Sequence, residues 1–440
     1  MTGYRHGDTI FALTTGNFRS GVAMVRVSGP LAGAIISALT GRAVPPPRTA
    51  VRRRFGIDPV IDDGLLLWFP APTSFTGEDV AELHVHGGRA VWNALAAALA
   101  AAGARPALPG EFSRRAFANG KLDLTQAEAI ADLVAAETEA QRRQAMRQLD
   151  GELGRLYEGW RERIVAMMAR AEAAIDFPDE DLPGGLLEAI PAEAASLAAA
   201  MARHLGDGGR GERLRDGIHV VLAGAPNAGK SSLLNALVGR AAAIVHPVAG
   251  TTRDVVEAAI DLDGWPVVFS DTAGLRPTAD AVEAEGVRRA RARADAADLR
   301  LLVVDLADRA SDAAVAGLVD PRAIVVLNKR DLSDRPVDLG PVPHVRVSAR
   351  SGEGMAELAA AIAGGIAATF PAAGLSPTRA RHRAAVEGCI RHLRATMTVA
   401  LPELLAEELR LAARTLGEAV GRIDVEEVLD RVFREFCIGK

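Results

Sequence analysis

Residues 224–231 read Gly-Ala-Pro-Asn-Ala-Gly-Lys-Ser, with the buried-type run HVVLA before them and the helix-forming run SSLLNALVG after. A G-x-x-x-x-G-K-S segment between a strand and a helix has one structural use: its backbone N–H groups and the helix N-terminus cradle phosphates. The glycines Gly224 and Gly229 allow the turn, Lys230 reaches the β- and γ-phosphates, and the Ser231 hydroxyl is placed for Mg²⁺. The chain must therefore contain a sheet with a phosphate loop at one strand end. The short apolar runs HVVLAG, PVVFSD, RLLVVD and AIVVLN, each followed by loop and helix, predict a mostly parallel sheet covered on both faces.

Three further segments follow in the order that such a fold requires. Asp271, Thr272, Ala273 and Gly274 close the strand PVVFS, where Asp271 holds the metal through water and the Gly274 N–H senses the γ-phosphate. Asn328, Lys329 and Asp331 of the run NKRD follow AIVVL. The Asp331 carboxylate accepts from the N1 and N2 hydrogens of guanine, which adenine lacks. Ser348 and Ala349 close over the base edge. These segments predict GTP and GDP, rather than ATP, as ligands.

The 440 residues carry 51 basic and 56 acidic side chains, so no overall field favours a polyanion, and RNA contact requires a local patch or a partner. Two cysteines far apart, Cys389 and Cys437, make neither a disulfide framework nor a metal site. With no signal-peptide pattern and no apolar run of membrane length, a cytoplasmic location and no membrane contact are expected. The texture changes along the chain. Residues 1–118 mix strands (GVAMVRVSG, GLLLWFP, AELHVHG) with helices. Residues 119–213 and 373–440 read as helical, and 214–372 as alternating β and α. Asp123 with Gln126 three residues on predicts a capped helix start, and GDGGRGERLRDG reads as a flexible boundary. The expected fold class is multidomain α+β and α/β. An N-terminal α/β domain precedes an all-α domain, which is interrupted by a Ras-like P-loop GTPase domain.

The run GAPNAGKSSLLNALVGRAAAIVHPVAGTTRD, the later DTAGLR and the terminal FCIGK resemble the MnmE (TrmE) family of tRNA-modification GTPases. The N-terminal LWFPAPTSFTGEDVAELHVHGG and PGEFSRRAFANGKLDLTQAEAIADL are similar to the same family. The resemblance implies a folate-binding N-terminal domain that dimerises, and a homodimer forming a heterotetramer with the flavoprotein MnmG. It implies modification of C5 of a tRNA wobble uridine, with FAD supplied only by the partner. The implied folate residues are Arg26, Glu82, Lys121 and Lys440, for 5-formyltetrahydrofolate or a related tetrahydrofolate. By their chemistry, Arg26 and a lysine suit the glutamate tail and Glu82 the aminopyrimidine part of the pterin. Cys437 either serves the modification chemistry or is a small buried residue.

Leu275 stands where Ras-type proteins place a water-orienting glutamine, and the resemblance transfers that task to Glu283 as the catalytic residue. It also implies a K⁺ ion held by Asn227, His246, Val248 and Thr251 once two G domains face each other. Thr252 joins Ser231 on Mg²⁺. The implied nucleotide shell takes in Asn227, Ala228, Gly229, Lys230, Ser231 and Ser232, then His246, Pro247, Val248, Ala249, Gly250, Thr251 and Thr252. By chemistry alone Arg253 or Arg276 also suits the transition-state charge. His84 and His86 share a strand face without a third metal ligand, and the basic runs at Arg52–Arg54 and Arg288 read first as solvated faces. A ribosome-assembly or RNA-remodelling GTPase is the alternative reading, because it shares the phosphate loop, DTAG and NKRD. The N-terminal region and the FCIGK tail separate the two.

Overall fold

The structure, a computed structural model, describes residues 7–16, 19–176, 187–240, 242–244, 257–271, 297–370, 375–399, 401–422, 432–433, 436 and 439. The chain divides into two compact units, one of residues 1–131, 148–161 and 416–440, the other of 132–147 and 162–415.

The first unit is built on a six-stranded sheet of β1 (Ile10–Leu13), β2 (Ser20–Ser28), β3 (Val51–Phe55), β4 (Asp62–Phe69), β5 (Val80–Gly87) and β6 (Arg105–Pro106). Their order is β3-β4-β5-β2-β1-β6, antiparallel throughout except for the β1/β6 pair. Side chains alternate between faces along a strand. Val25 and Val27 of β2, Leu83 and Val85 of β5, and Leu66 and Trp68 of β4 bury against α1 (Ala32–Thr40) and α2 (Arg89–Ala101). The intervening positions Arg26, Glu82, His84 and His86 therefore fall on the opposite face. There a smaller apolar cluster joins Ile10, Ala12 and Ala107 to Phe75 and to Phe112 of α3 (Glu111–Ala118). Neither β1, β3 nor β6 was expected from sequence; β3 carries VRRRF, too charged to read as a strand until paired with β4.

The helices come next. α4 (Leu124–Ala135) starts at the expected capping box: the Asp123 carboxylate accepts from the Gln126 N–H (2.8 Å), and the Gln126 amide oxygen accepts from the Asp123 N–H (3.0 Å). α5 (Glu139–Leu149), α6 (Glu152–Asp176) and α7 (Ile190–Leu205) continue the helical region. The segment read as a flexible boundary is ordered: Arg210–Asp216 forms the short helix α8. Its anchor is Asp207, fully buried, which accepts from the Gly209 N–H and from Arg383. A run of glycines signals backbone freedom, but a buried carboxylate with several donors removes it.

The second unit contains a seven-stranded sheet. It comprises β7 (Ile218–Gly224), β8 (Ala242–Ile244), β9 (Glu257–Leu262), β10 (Trp265–Asp271), β11 (Leu299–Asp305), β12 (Ala323–Asn328) and β13 (His344–Arg346). The order is β13-β12-β11-β7-β10-β9-β8, parallel from β13 to β10 and antiparallel beyond. Both faces are covered, as the unbroken apolar runs require. Leu301 and Val303 of β11 join one core with α9 (Lys230–Arg240) and α11 (Met355–Thr369). Leu302 and Val304 join the other with Val315 of α10 (Ala310–Ala316). α12 (Ala380–Ala395), which packs along α7, and α13 (Pro402–Val420) complete the described helices.

Candidate functional site

The parallel strands β10, β7, β11 and β12 all end on one edge, the place where open α/β sheets bind ligands. On that edge lie Asp271, the loop after Gly224, Asp305 and Asn328. The loop takes its expected shape for steric reasons. Gly229 has φ +93°, and a Cβ there would stand 2.3 Å from the Asn328 Nδ2; Gly224 approaches the Val303 carbonyl oxygen just as closely. Asn227 also lies in the left-handed region (φ +63°), which asparagine tolerates better than most residues, and is exposed on the loop. Lys230 reaches back along the loop, donating from Nζ to the carbonyls of Gly224 (3.1 Å) and Ala225 (2.9 Å). That places its ammonium over the loop. Ser231 and Ser232 are exposed in the first turn of α9.

The base-recognition segments are braced to the loop by one buried amide. Asn328 donates from Nδ2 to the Ala228 carbonyl (2.9 Å), and its Oδ1 accepts from the Ala349 N–H (3.2 Å). Loss of this amide would leave the buried Ala228 carbonyl without its partner, at about 1–3 kcal/mol, and free the half-buried Ala349 N–H. The Ser348 hydroxyl donates to Asp331 Oδ1 (2.7 Å), orienting the carboxylate, and itself accepts from the Ser351 N–H. Lys329, at φ +63°, forms an ion pair with Asp305 at 2.6 Å. The structure thus brings Asn227, Ala228, Gly229, Lys230, Asn328, Lys329, Asp331, Ser348 and Ala349 to one edge of the sheet. Asp271 ends β10 beside them. His246, Pro247, Val248, Ala249, Gly250, Thr251, Thr252, Thr272, Ala273, Gly274, Glu283, Arg253, Arg276, Cys437 and Lys440 lie outside the described residues.

A second cluster forms in the first unit. Arg26 and Glu82 face each other directly across β2 and β5. The guanidinium donates from Nε (3.1 Å) and Nη2 (2.8 Å) to Glu82 Oε1, while its Cζ lies 5.2 Å from the centre of the Phe75 ring and 5.6 Å from that of Phe112. Lys121 donates to the Pro72 carbonyl (3.0 Å), and its Cγ lies against Gly77. The loop 72–79 therefore connects Lys121 to Phe75. That loop is clamped from below: Glu78 accepts from the Ser28 hydroxyl (2.7 Å) and from buried Arg115 (3.0 Å), and Asn119 donates to the Thr76 carbonyl. Sequence reading named Arg26, Glu82 and Lys121 but missed Phe75, Phe112, Glu78 and Arg115. The signal present was the density of polar residues in SFTGED and GEFSRR, unusual for segments flanking buried strands. Gly439, next to Lys440, sits against the Leu13 carbonyl of β1.

His86 hydrogen-bonds Asp62 through Nδ1 (2.9 Å), and no group of three metal-ligating side chains occurs among the described residues. Arg52 and Arg54 both pair with Asp63, which makes that run part of a charged sheet face. Cys389 is fully buried, and burial pushes its thiol up to about 12. No described helix is long and apolar enough to cross a membrane.

Comparison with known proteins finds relatives along nearly the whole chain. A family model described as the MnmE helical domain matches residues 124–437, and one described as the GTP-binding protein TrmE N-terminus matches residues 9–121. A tRNA modification GTPase MnmE of Paramagnetospirillum magneticum is 57% identical over 440 residues, covering 98% of this chain and 100% of its own. Its counterpart in Rhodospirillum rubrum is 52% identical, covering 98% and 99%. Among solved structures, the G domain of the T. maritima FeoB iron transporter is 26% identical over 34% of this chain and 98% of its own, with a TM-score of 0.27.

Proposed function

Because the chain belongs to the MnmE family of tRNA modification GTPases, we propose that it couples GTP hydrolysis to modification of C5 of the wobble uridine in certain tRNAs, giving carboxymethylaminomethyluridine. It does so in the cytoplasm as a homodimer, in a heterotetramer with the flavoprotein MnmG, which brings the FAD. A tetrahydrofolate such as the 5-formyl derivative supplies the one-carbon unit.

The observation that carries this reading is the Arg26–Glu82 cluster. A G domain alone suits many RNA-remodelling proteins; a carboxylate and a guanidinium over an aromatic wall, on a second sheet, suits a planar heterocycle with amine donors. Glu82 is fit to accept from an aminopyrimidine, and Arg26 holds it in place. Since the two side chains are hydrogen-bonded to each other, they serve the same end of a folate. This revises the expectation that Arg26 takes the tail, which falls instead to Lys121 and Lys440.

In the G domain, Lys230 and the loop N–H groups bind and orient the phosphates, and Asp331, held by Ser348, selects guanine. Ser231 and Thr252 offer hard oxygen donors that fit Mg²⁺, whose charge offsets that of the β- and γ-phosphates. Glu283 orients the attacking water. Asn227, with His246, Val248 and Thr251, would hold K⁺, which supplies positive charge where other GTPases use an arginine. The parts are residues 1–118, then 119–213 with 373–440, then the inserted 214–372.

Binding of 5-formyltetrahydrofolate, measured by calorimetry, tests the reading. Specific binding is expected, with Arg26→Ala abolishing it and leaving GTP hydrolysis unchanged. No folate binding by the unsubstituted chain would favour an assembly GTPase instead.

A further inference from the structure

The parallel strands β10, β11 and β12 end at Asp271, Asp305 and Asn328, and of these three the roles above leave only Asp305 unused. It closes β11 in register with Asn328 of β12, only 8% exposed. Its neighbours fix it firmly. The Asp305 N–H donates to the Ser311 hydroxyl (2.9 Å), and Asp305 Oδ1 accepts from the Ala307 N–H (2.9 Å). Arg335, itself paired with Asp312, donates to the Leu306 carbonyl (2.9 Å) and to the Asp305 carbonyl (3.3 Å). The second carboxylate oxygen, Oδ2, is directed at Lys329 Nζ, 2.6 Å away.

Lys329 stands between Asn328, which braces the loop after β7, and Asp331, which Ser348 orients, and with the guanine role proposed for Asp331 its stem borders the base. Its backbone is in the left-handed region, unfavourable for a residue with a Cβ. Its long flexible stem would otherwise sample many rotamers, and the cost of ordering it would fall on nucleotide binding.

We propose that Asp305 is a positioning residue for guanine-nucleotide binding, pre-ordering Lys329 through the Asp305–Lys329 ion pair so that the lysine stem forms a fixed wall of the base pocket. The proposal rests on the GTPase assignment and adds a residue to it. Asp305 acts through Lys329 and touches neither phosphate nor attacking water, so it governs how long nucleotide stays bound and leaves the hydrolytic step alone.

The full chain is assayed for release of a fluorescent GDP analogue and for steady-state GTP hydrolysis. Asp305→Asn retains an oxygen to accept from the Ala307 N–H while removing the charge facing Lys329. Release is expected to quicken about tenfold, with KM rising in parallel and kcat within about twofold, the loss of one charge-assisted hydrogen bond. Lys329→Met alone should speed release similarly, and adding Asp305→Asn to it should change nothing further. The proposal is overturned by unchanged release in Asp305→Asn, by a fall in kcat at constant KM, or by Asp305→Asn still accelerating release in the Lys329→Met background. GTP turnover by the unsubstituted chain is read in the same assay, so failure of the GTPase assignment itself shows separately, as absence of that turnover.

Discussion

At the scale of single residues, the nucleotide site depends on conformations and charges with few substitutes. Gly229 cannot carry a side chain because the Asn328 amide occupies that space. Asn227 shows the opposite case, a residue with a Cβ held at φ +63° and exposed on the loop. A side-chain oxygen at such a place is available to a cation bound beside the phosphates. In buffers of matched ionic strength, GTP hydrolysis is expected to be at least about tenfold faster in KCl than in NaCl, the scale at which fixed charge stabilises such transition states. Asn227→Ala should remove the difference. Equal rates in the two salts would end the K⁺ assignment.

Between elements, the N-terminal unit is tied together by a charge cluster that no single strand or helix reveals. Arg105 of β6 pairs with Asp8 and Glu111; Arg115 of α3 pairs with Asp8, Glu78 and Glu111. Burial works against the charged forms of Asp8 and Glu111, yet hydrogen bonds and the nearby guanidinium charges outweigh it and hold both carboxyls below their ordinary values of 3.8 and 4.5. Groups depressed in the fold contribute stability above their unfolded pKa and lose it as pH falls through the folded one. The unfolding midpoint of this unit should therefore drop as pH falls from about 5 to below 4. Arg105→Gln should shrink that drop, read by scanning calorimetry at a series of pH values. An identical pH slope in both proteins would show that the cluster contributes nothing to acid stability. The same cluster fixes Glu78, and through it the loop that carries Phe75 under Arg26.

On the scale of the whole molecule, the inserted G domain possesses its own core on both faces of its sheet. Residues 214–372 produced alone are expected to fold and bind GDP; an unfolded fragment would overturn these boundaries. The fragment should be less stable than the same region in the full chain. It lacks Arg210, which lies 4.5 Å over the Trp265 ring and donates to the Phe370 carbonyl (2.6 Å). A cation over an indole contributes about 0.5–2 kcal/mol.

The loop between β7 and α9 and the turn after β12 could be read from the chain alone. Their requirements are local: glycines that turn the backbone, a lysine and a serine at a helix start, a carboxylate just past a buried strand. The strands GVAMVRVSG, AELHVHG and AIVVLN, and the capped start at Asp123, were legible for the same reason, since alternation and capping act within a few residues. What only the tertiary structure decided depends on register between distant segments. Glu82 meets Arg26 across 56 residues, Lys329 meets Asp305 across 24, and Arg115 meets Asp8 across 107. No local pattern specifies such pairs. A shift of one residue in strand register would turn each strand partner to the opposite face, and burying a guanidinium is tolerable only once its carboxylates arrive from elsewhere in the chain.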